Sequence, residues 1–207
     1  MQSGTDVRIR QHVNPHQVHF ARFRGERPPL DHRAVEVEIG CAEAQFLFER
    51  AAQDPSRLYV GLEIREDLVD LVNKRARELA APVHAVFCQA QLHMDEIFPP
   101  ASIDRVYINF PDPWFKRRHQ DRRMVDEQLA DNIARAARPG AELLVQTDVW
   151  DLALDGMRTF DADDRFENVA GEWSFWKQGN PYGVRSWREQ NAEETGLPIW
   201  RIWYRRR

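Results

Sequence analysis

Val35-Glu36-Val37-Glu38-Ile39-Gly40-Cys41-Ala42-Glu43-Ala44 is the stretch on which the fold turns. Apolar and charged residues alternate from Val35 to Ile39 and the run stops at Gly40, the signature of a strand entering a tight turn. Ala42–Gln53 continues as a helix, with Phe46, Leu47, Arg50 and Ala51 at helical spacing and Asp54-Pro55 closing it. Strand, glycine turn and helix in that order open a nucleotide-binding unit, in which an acid on the next strand takes the ribose hydroxyls. Glu63 lies 23 residues after Gly40, at the end of a second strand, Leu58–Glu63.

The same alternation continues down the chain. Glu66–Ala80 reads as a helix with Leu68, Leu71, Val72 and Leu79 as its buried stripe, and Val83–Phe87 as a third strand. A short helical turn around Met94–Phe98 precedes strand Ile103–Phe110, which Pro111-Asp112-Pro113 closes. Helix Val125–Arg138 stops at Pro139-Gly140. Strand Ala141–Thr147, helix Trp150–Phe160 and strand-like segments Phe166–Ala170 and Ile199–Tyr204 complete the series. The pattern predicts an α/β fold: a Rossmann-like, doubly wound, mostly parallel sheet with an antiparallel C-terminal strand. Residues 1–33 are polar and irregular and read as an N-terminal arm, with 34–207 as one domain. His12, His16 and His19 fall in that arm at helical spacing, but Pro15 interrupts it, so no metal site is expected.

Two cysteines, Cys41 and Cys88, exclude a disulfide framework and a multi-cysteine zinc site. The opening residues hold no apolar run and no stretch reaches the ~20 apolar residues of a membrane span. A cytoplasmic, reducing setting without membrane partners is the expectation, as monomer or homodimer. The 207 residues carry a formal net charge of −4, which taken alone argues against nucleic acid. Its distribution argues otherwise. Lys116–Arg123 holds five Lys/Arg and one Asp, Arg201–Arg207 holds four Arg and no acid, and the remainder therefore carries −12.

Ligands of such sheets bind beyond the carboxyl ends of the strands. Those ends read Glu38-Ile39-Gly40, Glu63, Gln89, Asp112 and Asp148. An acidic rim, with Glu43 in the first helical turn, repels a pyrophosphate and suits a cation. S-adenosylmethionine is such a cofactor: Glu38 faces its cationic end, Glu63 its ribose and Gln89 its adenine edge. The string Asn109-Phe110-Pro111-Asp112-Pro113-Trp114-Phe115-Lys116-Arg117-Arg118-His119 then places a proline-clamped carboxylate, an aromatic ring and a basic run together at a strand end. That combination suits a base gripped by an acid and stacked on a ring, with phosphates nearby.

At these residues the chain resembles the bacterial tRNA (guanine-N7-)-methyltransferase family. The resemblance rests on Val37-Glu38-Ile39-Gly40, Gly61-Leu62-Glu63, Phe110-Pro111-Asp112-Pro113-Trp114 with Lys116, Arg118-His119 and Arg122-Arg123, and Thr147-Asp148. It implies a class I methyltransferase fold, S-adenosylmethionine as cofactor and N7 of a guanosine in the tRNA variable loop as acceptor. It makes Glu38, Gly40, Glu63, Gln89 and Asp112 cofactor contacts, Asp112 the catalytic acid, and Lys116, Asp148, Ser186 and Glu189 substrate contacts. Arg117, Arg118, Arg122 and Arg123 are expected on RNA phosphates.

The chain departs from the family in three places. Ala42 and Ala44 stand where the family's loop has glycine, and each adds a Cβ that resists positive φ. Gln89 stands for an aspartate, and Arg188 for the aromatic of the motif aligned with Ser186–Glu189. These leave other readings open: a same-fold methyltransferase acting on another RNA or a small molecule, a catalytically weakened RNA-binding paralogue and, last, a dinucleotide oxidoreductase.

Overall fold

The computed structural model describes residues 27–31, 33–114 and 123–207. Most of the N-terminal arm, with His12, His16 and His19, and the basic residues Lys116, Arg117, Arg118 and Arg122 lie outside the described residues. The strands are β1 (Val35–Ile39), β2 (Leu58–Glu63), β3 (Val83–Phe87), β4 (Ile103–Asn109), β5 (Ala137–Thr147), β6 (Phe166–Asn168) and β7 (Trp200–Arg206). The helices are α1 (Gln45–Gln53), α2 (Glu66–Glu78), α3 (Ala90–Ile97), α4 (Glu127–Ala136), α5 (Trp150–Asp161) and α6 (Trp187–Glu194).

Among the described residues the strands form one seven-stranded sheet in the order β3-β2-β1-β4-β5-β7-β6. β1 to β5 run parallel, and β7 lies antiparallel to both β5 and β6. The order reverses between β1 and β4. Diverging crossovers open a crevice there, at the carboxyl ends of both strands.

Both faces are covered. Phe46 and Leu47 of α1 and Val69 and Val72 of α2 pack with Tyr59, Ala85, Tyr107 and Leu144 on one face. Met94 of α3, Leu129 and Ile133 of α4 and Phe160 of α5 pack with Val35, Val37, Val106 and Val145 on the other. The alternation of β1 therefore sorts its residues between two buried faces, and all five are buried. Glu36 is fully buried under α1, which is tolerable only because it is paired. Arg50 Nη2 (3.1 Å), Arg105 Nη1 (2.8 Å) and the Tyr107 hydroxyl (2.7 Å) all donate to its carboxylate.

Four sequence expectations shift. Leu71 and Leu79 are exposed, and Val69 and Ala76 complete the buried stripe of α2 with Leu68 and Val72. The turn expected at Met94–Phe98 is the last part of an eight-residue helix, α3. α4 ends at Ala136 rather than Arg138, and β5 takes in Pro139-Gly140, with Gly140 at φ 84°. α6 was not expected, because it presents almost no apolar stripe: Ala192 is its one buried apolar residue.

Candidate active site

A cavity of about 700 Å³ opens at the crevice between β1 and β4. Its walls are the end of β1 with residues 40–43 and Gln45, the end of β2, residues 88–91, residues 109–112 with Trp114, Met124 and the start of α6. Glu38, Gly40, Glu63, Gln89, Asp112 and Ser186 all line it. Gly40 takes φ 76°, and its amide donates to Leu62 O (2.8 Å), folding the loop back over β2. Ala42 and Ala44 adopt φ 49° and 54°. The two alanines thus take the turn that glycine would take, at a cost of about 1–2 kcal/mol each.

Glu38 sits at the bottom of the crevice, 3% exposed. Asn109 Nδ2 of β4 donates to Glu38 Oε1 (2.7 Å), while Oε2 is buried without a protein partner. Burial pushes the carboxyl up to about 8; the Asn109 bond opposes the shift and the neighbouring Glu63 charge adds to it. Gln89, at the entry to α3, also keeps a buried, unpartnered acceptor, Oε1, while its Nε2 donates to Gln91 Oε1 (3.1 Å). These two orphaned oxygens in one cavity lining ask for donors.

Glu63 is differently placed. Its carboxylate accepts from the amides of Ala42 (2.9 Å), Ile64 (2.9 Å) and Arg65 (3.1 Å), and Arg65 Nε and Nη2 close on it at 2.9 and 2.8 Å. The expected ribose acceptor thus already holds a guanidinium.

Asp112 projects into the cavity from a loop whose backbone is locked on both sides. Pro111 and Pro113 flank it, and Phe110 and Trp114 take φ 50° and 40°, conformations unusual for bulky residues. The Phe110 amide donates to Gln146 O (2.7 Å) and pins the turn to β5.

Three expectations about the substrate side meet a different geometry. Arg123, expected on a phosphate, is tucked against the body in an ion pair with Asp155. Asp148 lies beside the cavity wall, joined to Arg188, which does line the cavity. Glu189, expected to grip the base, is 0% exposed with both oxygens engaged. Arg201 Nη2 donates to Oε1 (2.6 Å), and Gln146 Nε2 (3.0 Å) and Asn180 Nδ2 (2.9 Å) donate to Oε2. Gln146 Nε2 also donates to Asn109 Oδ1 (2.8 Å), so one hydrogen-bonded chain runs from Glu189 through Gln146 and Asn109 to Glu38.

Sequence reasoning missed Asn109 and Gln146. Their signal was present: two amide side chains on central, apolar strands, in register with each other. Such residues need partners. Glu189→Ala takes from the buried Arg201 guanidinium its nearer carboxylate and leaves it only Glu193 Oε1 at 3.6 Å, and a loss of about 2–4 kcal/mol of folding stability is expected. Urea unfolding of the variant measures it. A loss below about 1 kcal/mol refutes the reading of this chain as the frame of the site.

A family model described as "Putative methyltransferase" matches residues 32–202. A tRNA (guanine-N(7)-)-methyltransferase from Synechococcus elongatus is 37% identical over 205 residues, covering 94% of this chain and 94% of its own length. One from Synechococcus sp. (strain JA-3-3Ab) is 34% identical over 219 residues, covering 100% of this chain and 89% of its own. Among solved structures, the 16S rRNA methyltransferase KamB superposes with a TM-score of 0.58 at 14% identity, over 84% of this chain and 87% of that one. At that identity the likeness speaks for the fold alone, the class I methyltransferase arrangement. The full-length relatives speak for more than the fold, and by them this chain belongs to the tRNA (guanine-N7-)-methyltransferase family.

Proposed function

We propose that this chain transfers the methyl group of S-adenosylmethionine to N7 of a guanosine in the variable loop of tRNA. The observation that carries the proposal is the meeting, in one cavity, of two buried unpartnered acceptors with the proline-clamped Asp112. The acceptors fit the cofactor's chemistry. Glu38 suits its cationic amino-acid and sulfonium end, and Gln89 Oε1 suits the adenine amino group. A ribose diol reaching Glu63 takes over acceptor positions that Arg65 now fills. Gly40 allows close approach of the loop. The cofactor, when bound, supplies the electrophilic methyl group.

Guanine N7 carries its own lone pair, so no residue has to act as a base. The protein's task is orientation and charge. Guanine presents N1–H and an exocyclic amine on the edge opposite N7, two donors matched by a carboxylate. Asp112 is the acceptor that lines the cavity, Asp148 joins it only by exchanging its Arg188 partner, and a negative charge there stabilises the positive charge that grows on the purine. Glu189 acts from behind, holding Gln146 and Asn109, and Ser186 holds the start of α6. Lys116, Arg117, Arg118 and Arg122 bind phosphates of the tRNA backbone.

Nucleoside mass spectrometry of tRNA treated with the chain and cofactor tests the proposal. The expected product is 7-methylguanosine. Its absence, or a methylated nucleoside from a different RNA, overturns the proposal; the second outcome fits the replacement of an aromatic by Arg188. A steep loss of tRNA affinity with added salt is also expected, easing by about 0.7–0.9 in the log–log slope for each phosphate contact removed at Lys116, Arg117 or Arg118. A flat salt response contradicts the basic track.

A further inference from the structure

Ser186-Trp187-Arg188-Glu189 opens α6 as a helix cap: Ser186 Oγ accepts from the Glu189 amide (3.2 Å). The two outer residues turn inward, Ser186 and Glu189 being buried. The two middle residues turn outward to the cavity mouth. Trp187 is 64% exposed, the most exposed large apolar side chain among the described residues. Its ring contributes little to the core, so its presence there is not explained by packing.

The segment that presents this ring is held firmly. Tyr182 has two guanidinium groups over its ring, Arg50 at 5.6 Å and Arg105 at 5.1 Å from the centroid. Asn180 donates to Val184 O (2.8 Å) and to Glu189 Oε2 (2.9 Å). Arg188 ties the start of α6 to Asp148 at the end of β5. A flat, exposed indole on a fixed support, beside a carboxylate and a cation at a cavity mouth, is built for a flat ligand with polar edges. The family's aromatic position is occupied here by Arg188, and the neighbouring position supplies a ring instead.

We infer that Trp187 is a stacking face for an unstacked RNA nucleobase at the mouth of the cavity. The inference rests on the reading of the chain as an RNA methyltransferase and adds to it the contact that holds a base out of its stack. Trp187 is a positioning residue: it presents the base, and Asp112 meets its edge.

The test compares the full chain with Trp187→Ala, Trp187→Phe and Trp187→Leu. Affinity for tRNA, affinity for S-adenosylmethionine and single-turnover methylation are measured separately, with thermal unfolding as the check on folding. Trp187→Ala is expected to weaken tRNA binding by roughly 5- to 100-fold, the range for loss of one base–aromatic stack. Trp187→Phe restores most of the loss and Trp187→Leu little of it, while cofactor affinity stays within about twofold. Unchanged tRNA affinity in Trp187→Ala overturns the inference. So does rescue by Leu equal to Phe, which means an apolar cover, and so does a parallel loss of cofactor affinity, which means that the ring serves the cofactor. If the wild-type chain binds tRNA but does not methylate it, the functional reading fails while the affinities still decide the role of Trp187. If the wild-type chain does not bind tRNA, both fail.

Discussion

Asp112→Ala is expected to lower the single-turnover rate of methyl transfer to tRNA by about 100- to 1,000-fold without unfolding the protein. The size follows from two roles in one group. Asp112 reaches the cavity from a loop held by Pro111 and Pro113 and by the left-handed turns at Phe110 and Trp114. A rigid loop spends its strain in advance, so the carboxylate needs no reorganisation when a base arrives. Removal of the side chain costs the orientation of the guanine edge and the charge that answers the growing purinium. Asp112→Asn separates the two, because the amide keeps an acceptor oxygen and loses the charge; an intermediate rate is expected. The side chain lies in no apolar cluster and its charge acts on the half-buried Arg65, so folding stability should change by no more than about 1 kcal/mol. Rapid-quench kinetics at saturating cofactor provide the measurement. Turnover of Asp112→Ala within threefold of wild type refutes the assignment.

The parts of this site legible in the sequence were those fixed by backbone punctuation. Gly40 after an alternating run, Glu63 at the next strand end, and prolines on both sides of Asp112 each mark a place where the chain must turn, and the turns face one crevice. What distance in sequence hides is which charges neutralise each other. Arg123 against Asp155 and Arg201 on Glu189 are pairings made by packing, and no spacing rule foretells them. The same limit explains Glu189. Read along the chain it is an acid in a substrate motif; in space it is the centre of a buried hydrogen-bond frame linking β4, β5, β7 and α6. The alanines of the loop teach the converse. Ala42 and Ala44 resist positive φ as residues, yet the sheet and the amide of Ala42 bonded to Glu63 hold the turn against that preference. Tertiary contacts outweigh a local cost of this size.

Cofactor binding should tighten with rising pH, and Glu38 is the group that sets the slope. Burial is the main cause of its raised carboxyl, at about 8 in the folded chain against 4.5 for an ordinary glutamate. The sign follows. Between these values the folded protein holds a proton that the unfolded chain has released, so this group's contribution to stability is complete below about pH 4.5 and declines as pH rises through 8. A cationic ligand beside Glu38 reverses the preference, since it stabilises the ionised form, and binding at neutral pH must expel that proton. Affinity for S-adenosylmethionine should therefore rise between pH 5 and 7, approaching tenfold per unit. Of the groups that act on Glu38, Asn109 does not titrate, burial pushes the Cys41 thiol up, out of that window, and Glu63 is held in its ion pair with Arg65. The ligand's own amino group titrates near 8, which is why the range stops at pH 7. Calorimetry in two buffers of different ionisation enthalpy counts the protons: close to one released per cofactor in wild type, none in Glu38→Gln. The variant should also bind with a flat pH profile. Equal heats in the two buffers for wild type, or an affinity independent of pH, would show that Glu38 does not meet the cation.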